Sequence, residues 1–431
     1  MLEKILTDKF RKLLQTVLLD IQNQQDRRDE EELAKDEVRI KEDLLDTVES
    51  YPANIVLDED FLVAAVDGSG TENFGTLDDI RIHLLSTATV ILDTNTQNGP
   101  PFSIMERATL GAELGAQPFL DMHWHSGVRH DAKNKMAESL TNIYPSKAPT
   151  DFVTQFFRDD LGPQVKSFSD LDSTDFARHK SKLENMVSLI SRVGYLTNSV
   201  VHDELRTVSE YAAVRKVLTS KFKLKYILID GAMSIFMHHV LKYPSMPSGF
   251  MLRELCALAR DKEVILCAVS KNHTIPAAHR IAKMAEDIFG AEAKWFCLLP
   301  SKNDPKGGLH IMTGRTYLPP KLAVPYLFSF SRDNRPSRID FDRIWWLKNI
   351  FVRGDPAATR ANEKQLFRDL EFMSRDARWY GYPVALALAH KACKVSYEDL
   401  GLAREVYRDV LRATNHDPRR ALPLREDFNL A

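Results

Sequence analysis

Twice in this chain an apolar, β-branched run drives straight into Asp-Gly. The first is Phe61-Leu-Val-Ala-Ala-Val-Asp67-Gly68 and the second is Leu224-Lys-Tyr-Ile-Leu-Ile-Asp230-Gly231. Short apolar runs bounded by turn residues predict buried strands. Each strand is expected to end at its aspartate, with the glycine freeing the backbone to turn. A third run, Glu263-Val-Ile-Leu-Cys-Ala-Val-Ser-Lys271, is a strand of the same kind ending in Ser-Lys. Helical patterns precede and follow these runs, over about 182–218, 252–260 and 276–289. Strand alternating with helix predicts a parallel α/β core. In an open sheet of that kind, functional groups gather at the carboxyl ends of the strands. Asp67, Asp230 and Lys271 are therefore expected to be neighbours in space.

Two or three carboxylates with open coordination positions suit Mg²⁺ or Mn²⁺, which prefer oxygen ligands. Paired ions of this class clamp the attacking and leaving oxygens of a phosphodiester. A lysine close by holds a nonbridging phosphate oxygen. The plain alternative for either aspartate is a turn or helix cap. A third carboxylate is expected from the helix before Asp230, where Glu204 and Glu210 are the candidates. Glu210 is preferred for its apolar setting of Val208, Tyr211 and Ala212, against the alternative of a solvated helix glutamate. Further on, Gly381-Tyr382-Pro383 opens an apolar stretch that closes at His390. Pro383 suits the first position of a helix. That helix would put Tyr382 at its mouth and His390 two turns on, as a core histidine or as a metal ligand or proton-transfer group. His123-Trp-His125 and His130 lack a nearby cysteine or a second helical pair, so they are expected to be surface or core residues.

At 431 residues the chain has room for two or three domains, or for one large domain with insertions. Residues 1–50 follow a helical pattern with Leu6, Phe10, Leu13, Leu14, Val17, Leu18 and Ile21 on one face. That segment either packs on its own domain or serves as a docking or dimerisation arm, and both readings stay open. Ile80 to Asp93 predicts a long strand or bent hairpin, and 102–180 an insertion or cap. Further strands are expected at 295–298, 308–313, 326–330 and 339–346, and helices at 360–378, 382–395 and 398–413. The division is a helical arm over 1–52, a core over 53–395 with its insertion at about 102–180, and a helix and tail over 396–431. The net charge of -2 is no nucleic-acid signature, although acidic faces can offset a basic groove. Four scattered cysteines give no CxxC pair and no disulfide framework, which fits a reducing cytoplasm. The N-terminus carries acids and no small cleavage-type residues, which is not a signal-peptide pattern. No apolar run approaches the ~20 residues needed to span a bilayer. No GxxxxGK loop followed by Ser or Thr occurs, so no NTPase motor is expected.

Val66-Asp-Gly-Ser69, Ile227-Leu-Ile-Asp-Gly-Ala232, Ala268-Val-Ser-Lys271 and Gly381-Tyr-Pro-x6-His390 stand in this order along the chain. The ordered set resembles the NurA nuclease family over roughly residues 55–400. The resemblance implies an RNase H-like core related to the Piwi domain: a mixed sheet with flanking helices, here with a large insertion and an N-terminal helical arm. It implies a manganese-dependent DNA nuclease that works as a dimer with a HerA-type hexameric translocase in DNA end processing. Asp67 and Asp230 would then be metal ligands, joined by Glu210 and His390. Tyr382 would complete the site and Lys271 would face the DNA phosphate.

The leading expectation is thus a DNA nuclease holding two Mn²⁺ (or Mg²⁺) ions, with DNA and a HerA-like hexameric ATPase as partners, as a homodimer or higher. Its setting would be cytoplasmic, with no membrane, in DNA repair or antiviral defence. Arg215-Lys216 with Lys221, Lys223 and Lys225 could track the backbone, or could be a solvated helix end. The alternative is a catalytically weak structural or regulatory subunit of a ring-shaped DNA translocase. A nucleotide- or sugar-phosphate enzyme ranks last, since the chain has no glycine-rich phosphate loop.

Overall fold

The first apolar run opens a strand far longer than itself. β1 spans Leu62–Leu77 and pairs antiparallel with β2, Ile80–Asp93, from end to end. A computed structural model of the chain describes residues 11–12, 14–21, 59–78, 80–94, 102–126, 168–173, 198–233, 248–271, 273, 278–290, 293–299, 323–330, 336–376, 378–379, 381–414 and 416. Asp67 does not end its strand: it lies inside β1, opposite Ala88. The cause is β2, which goes on offering backbone partners past Gly68 to a bulge between Thr71 and Gly75. A methyl group on Gly70, at φ +152°, would lie 2.1 Å from the Leu84 carbonyl oxygen, so glycine is required there.

Two short strands extend this edge. β3 (Ser103–Ile104) and β4 (Phe119–Ser126) both pair with β2, so part of the expected insertion builds the sheet itself. On the other side of β1 lies β5, Leu224–Asp230, in parallel register from Leu62 to Val66. Next come β6 (Ile265–Ser270), parallel to β5, and then β9 (Ser337–Asp342), β8 (Ala323–Ser329) and β7 (Trp295–Leu298), all antiparallel. Among the described residues the sheet has nine strands, in the order β3-β2-β1-β5-β6-β9-β8-β7, with β4 beside β3 on β2. The parallel α/β core expected from the sequence is its centre, and the whole is a mixed sheet.

Successive residues of β1 feed two different cores, as strand alternation requires. Ala64 and Val66, with Ile227 and Ile229, pack with residues of α2 (Asn198–Thr219) and α3 (Ser248–Asp261). A short α1, Arg107–Leu114, joins that side through Leu110 and Leu114. Val63 and Ala65, with Tyr226 and Leu228, face the opposite layer. A smaller cluster lies under α4 (Ala278–Phe289), where Ile281 and Ala285 meet Trp295 and Cys297. The opposite layer is built by α5 (Arg343–Asn349), α6 (Pro356–Met373) and α7 (Val384–Cys393). α8, Tyr397–Ala413, lies on the far part of β1, where the Tyr407 ring fills the place of a side chain at Gly75.

α6 carries three buried carboxylates, and each has partners. Asp369 accepts from the Tyr226 hydroxyl at 2.7 Å and pairs with Lys225. Glu363 accepts from the Tyr326 hydroxyl at 2.6 Å and from Arg360 at 2.7 Å. Glu371 pairs with Lys294 and Arg375. These bonds fix the helix in one position along the sheet.

One expected strand is shorter than the apolar pattern suggested. Residues 339–346 do not form one strand, because β9 stops at Asp342 and its carboxylate accepts from the Ile344 amide to start α5. The expected strand at 308–313, most of the N-terminal arm and the helical pattern at 182–197 lie outside the described residues. Among the described residues no helix is long and apolar enough to cross a membrane.

Candidate functional site

What ends beside Asp67 is its neighbour. β5 stops at Asp230, one residue past the last β1–β5 pair, Val66 with Ile229. β1 therefore continues alone on that side, and a gap opens in the sheet next to Asp67 and Gly68. By strand alternation, Asp67 and Asp230 belong to the α7 face and Gly68 to the α2 face.

Asp67 is buried and held at both oxygens. The Gly68 amide donates to Oδ1 at 2.8 Å, and His390 Nδ1 lies 2.8 Å from Oδ2. His390 comes from the last turn of α7, and its ring stays 67% exposed, open to the cleft. One turn on, the wholly buried Cys393 thiol donates to the His390 carbonyl oxygen. Burial, and then the charges of Asp67 and Glu210, hold that thiol well above the usual cysteine range. Ligand atoms of Asp67, His390 and Cys393 all lie within 4.8 Å of one another.

Asp230 stands at the strand end beside them. The residue is exposed, yet partial burial of its carboxyl, and then the Asp67 charge, raise its pKa against the pull of His390. The Tyr382 hydroxyl donates to Asp230 Oδ1 at 3.4 Å. The ring of Tyr382 in turn carries Lys271, whose Nζ sits 3.7 Å from its centroid. Burial lowers the Lys271 pKa, opposed by the Asp230 charge, and burial followed by Asp230 raises that of Tyr382.

Glu210 approaches from the α2 face. Its carboxyl end occupies the space a side chain would need at Gly68, where a Cβ would lie 2.5 Å from Oε1. Burial pushes its pKa up to about 8; Arg206 opposes this, and the charges of Asp67 and Asp230 add to it. Arg206, one turn earlier on α2, reaches the Gly68 carbonyl oxygen at 3.5 Å, and its own pKa is raised first by Glu210. Next to Glu210, the Ser209 and Thr87 hydroxyls meet at 2.9 Å and tie α2 to β2 opposite Gly68. Glu204 is elsewhere. It accepts from the amide and hydroxyl of Ser248, at 2.8 and 2.6 Å, and so caps the first turn of α3. Burial pushes its pKa up to about 7.

The six preferred candidates, without Glu204, thus come to one place: Asp67, Asp230, Lys271, Tyr382 and His390 on one side of the gap, and Glu210 at its other side. The donor chemistry fits a divalent cation. Three carboxyl groups, two of which owe part of their raised pKa to the others, form a concentration of like charge that a hard cation relieves. The sequence reading missed Arg206 and Cys393. Each had a faint signal, since Arg206 stands four residues before Glu210 and Cys393 three after His390, both on the same helix face.

The other candidates lead away from the gap. His123 is buried and bonds Asp121 at 3.0 Å. The side chain of His125, and His130 altogether, lie outside the described residues. In the basic run, Arg215 meets Glu254, Lys221 meets Glu113, Lys225 meets Asp369, and Lys216 lies over the Phe119 ring. Those cations are engaged within the chain.

No family model and no curated protein matches the chain. Among solved structures it is similar to NurA nucleases. The NurA nuclease from Sulfolobus solfataricus is 13% identical with a TM-score of 0.43, over 93% of this chain and 97% of that one. A NurA bound to dAMP and manganese is 12% identical with a TM-score of 0.35, over 96% of this chain and 97% of that one. These likenesses are weak, and the function proposed below stands on this chain's own side chains.

Proposed function

We propose that the chain is a metal-dependent deoxyribonuclease acting on DNA ends or single strands. The observation that carries this reading is the carboxylate cluster of Asp67, Asp230 and Glu210 at the gap beside β5, with His390, Tyr382 and Lys271 around it. Asp67, Asp230, Glu210 and His390 would hold Mn²⁺ or Mg²⁺, as a pair of ions. Cations bound there supply Lewis-acid activation of water and neutralise charge on the phosphodiester.

The chain's own groups set the geometry. The Gly68 amide and His390 Nδ1 fix both oxygens of Asp67, so its carboxylate is presented in one orientation. The Asp67 bond to Nδ1 leaves Nε2 as the nitrogen that would face the cation. Tyr382 positions Asp230 by its hydroxyl and Lys271 by its ring. Lys271 then lies within the field of Asp230, where its ammonium offsets charge growing on a nonbridging phosphate oxygen. Arg206 balances Glu210 from behind.

The same reading gives the motor to a partner, a HerA-like hexameric ATPase, because the chain has no phosphate-binding loop of its own. It also implies a homodimer, and a role in DNA end processing or defence against foreign DNA. The test is release of nucleotide from linear DNA in Mn²⁺ by the wild type and by Asp67→Ala. The wild type cuts and the variant does not; equal release by the two sinks the enzyme reading in favour of a structural subunit.

A further inference from the structure

We propose that Asp67, His390 and Cys393 form a binding site for a soft divalent cation of the zinc class, which overlaps the hard-cation site and shuts it off. This rests on the nuclease reading for its consequence, though not for the site. The three ligand atoms already lie within 4.8 Å of one another. Thiolate, imidazole and carboxylate together are a zinc set, whereas manganese and magnesium favour oxygen. His390 and Cys393 stand one turn apart on α7, so one helix face aims both at Asp67. The approach is open from the His390 side, where the ring is 67% exposed, while the thiol forms the inner wall. Glu210 is close enough for its charge to act on Cys393, so a cation there stays in the field of the same acids.

Binding is balanced by proton release. The Cys393 S–H bond breaks, its proton leaves to solvent, and the sulfur lone pair binds the cation. The His390 ring moves its proton from Nδ1 to Nε2, and Nδ1 turns its lone pair from Asp67 to the cation. Asp67 contributes Oδ2. Because Asp67 is then committed to zinc, it no longer serves the hard cation, and cleavage stops.

The experiment titrates metal-free, full-length protein with Co²⁺ under anaerobic conditions, as a spectroscopic stand-in for zinc. One equivalent should raise a thiolate-to-cobalt charge-transfer band in the near ultraviolet, and Zn²⁺ should bleach it. Cys393→Ser should abolish the band and weaken Zn²⁺ by about 100-fold or more, since losing a ligand exceeds the 10–100-fold typical of losing a ligand's own partner. His390→Ala, a change at an exposed ring, should weaken the band too and keeps the test decisive if the cysteine variant does not fold. In Mn²⁺-supported DNA cleavage, Zn²⁺ should inhibit the wild type, and Cys393→Ser should need about 100-fold more. Absence of the band, its persistence in Cys393→Ser, or cleavage that zinc leaves unchanged overturns the proposal. A band that behaves as expected in a protein that cuts no DNA with any cation supports the site and removes the nuclease reading.

Discussion

Gly68→Ala is the sharpest probe of how the acids are arranged. The glycine does not serve a turn, because β1 runs straight through it and pairs it with Thr87. Its backbone is outside the left-handed region, so alanine meets no strain of its own. What the methyl group meets is Glu210: Oε1 at 2.5 Å, Cγ at 2.8 Å and Cδ at 3.0 Å. Ordinary contact begins near 3.4 Å, so the whole carboxyl end must retreat by about 1 Å. Overpacking of this size costs about 1–3 kcal/mol, and the better strand propensity of alanine returns about 0.5–1 kcal/mol. The protein should therefore stay folded, with a small drop in its melting temperature. A displacement of about 1 Å in a catalytic group can cost about 100-fold in rate, which is the loss expected in Mn²⁺-dependent nucleotide release.

The double variant completes the test. With Glu210→Ala the space beside Gly68 is vacant, so adding Gly68→Ala should change the rate no further and should raise stability only by the about 0.5–1 kcal/mol of alanine's strand propensity. Full activity in Gly68→Ala, or losses that multiply in the double variant, would refute the idea that this glycine exists to admit Glu210.

Other outcomes follow from the same structure. Mn²⁺ at 100 times its dissociation constant should stabilise the wild type by about 2.7 kcal/mol in thermal unfolding, with no shift for Asp67→Ala; equal shifts would place the ion elsewhere. Glu204 is held near pKa 7 when folded against 4.5 for the free side chain. The folded state then binds the extra proton between those values, so stability falls as pH rises through that window and is level above it. Glu204→Gln should remove ~3 kcal/mol of that fall, leaving the slope of the same sign that Glu210 contributes, measured as unfolding free energy against pH. Tyr326→Phe deletes the hydroxyl that accepts from Trp346 Nε1 at 2.7 Å and donates to Glu363. It should cost about 1–3 kcal/mol in denaturant unfolding and leave DNA cleavage untouched.

The strands with apolar runs were legible because burial on both faces leaves few alternatives to a strand, and β5 does end at Asp230 as its sequence says. The identical signal at Asp67 misled, because whether Asp-Gly ends a strand depends on who sits beside it. β2 supplies a partner there, whereas the β5–β6 ladder ends at Asp230 opposite Val269. The Trp345-Trp346 pair misled for a related reason: aromatic residues favour strands, but the cap at Asp342 redirects the chain and Trp346 is buried from a helix instead. Glu204 and Glu210 are chemically alike and six residues apart on one helix. Which of them looks at β1 is decided by the packing of α2 between β1 and α3; apolar neighbours favoured Glu210 in the sequence, but Val201 and Leu205 give Glu204 a buried setting as well. Arg206 was passed over because an arginine four residues before a glutamate is an ordinary helix-surface pair until the strand beneath is known.

The site owes its place to a mismatch in length. Had β1 and β5 ended together, Asp67 and Asp230 would form a two-acid strand end facing α7, and α2 would lie on the other side of a closed sheet. Because β1 continues, its Gly68 edge is bare on the β5 side, and a glutamate from the opposite layer can come up against it. Ser209 and Thr87 hold α2 in register at that point, one residue from Glu210 and directly across from Gly68. Two strand acids on one face and a helix acid from the other are thereby brought to one gap, while each layer keeps its own core. The crowding that results is visible in the carboxyl groups themselves, with Glu210 raised by Asp67 and Asp230, and Asp230 by Asp67. Arg206, His390 and Lys271 stand beside these acids without removing the crowding, and an apolar trio in these positions would pack at less cost. A divalent cation held as proposed would relieve the charge that remains.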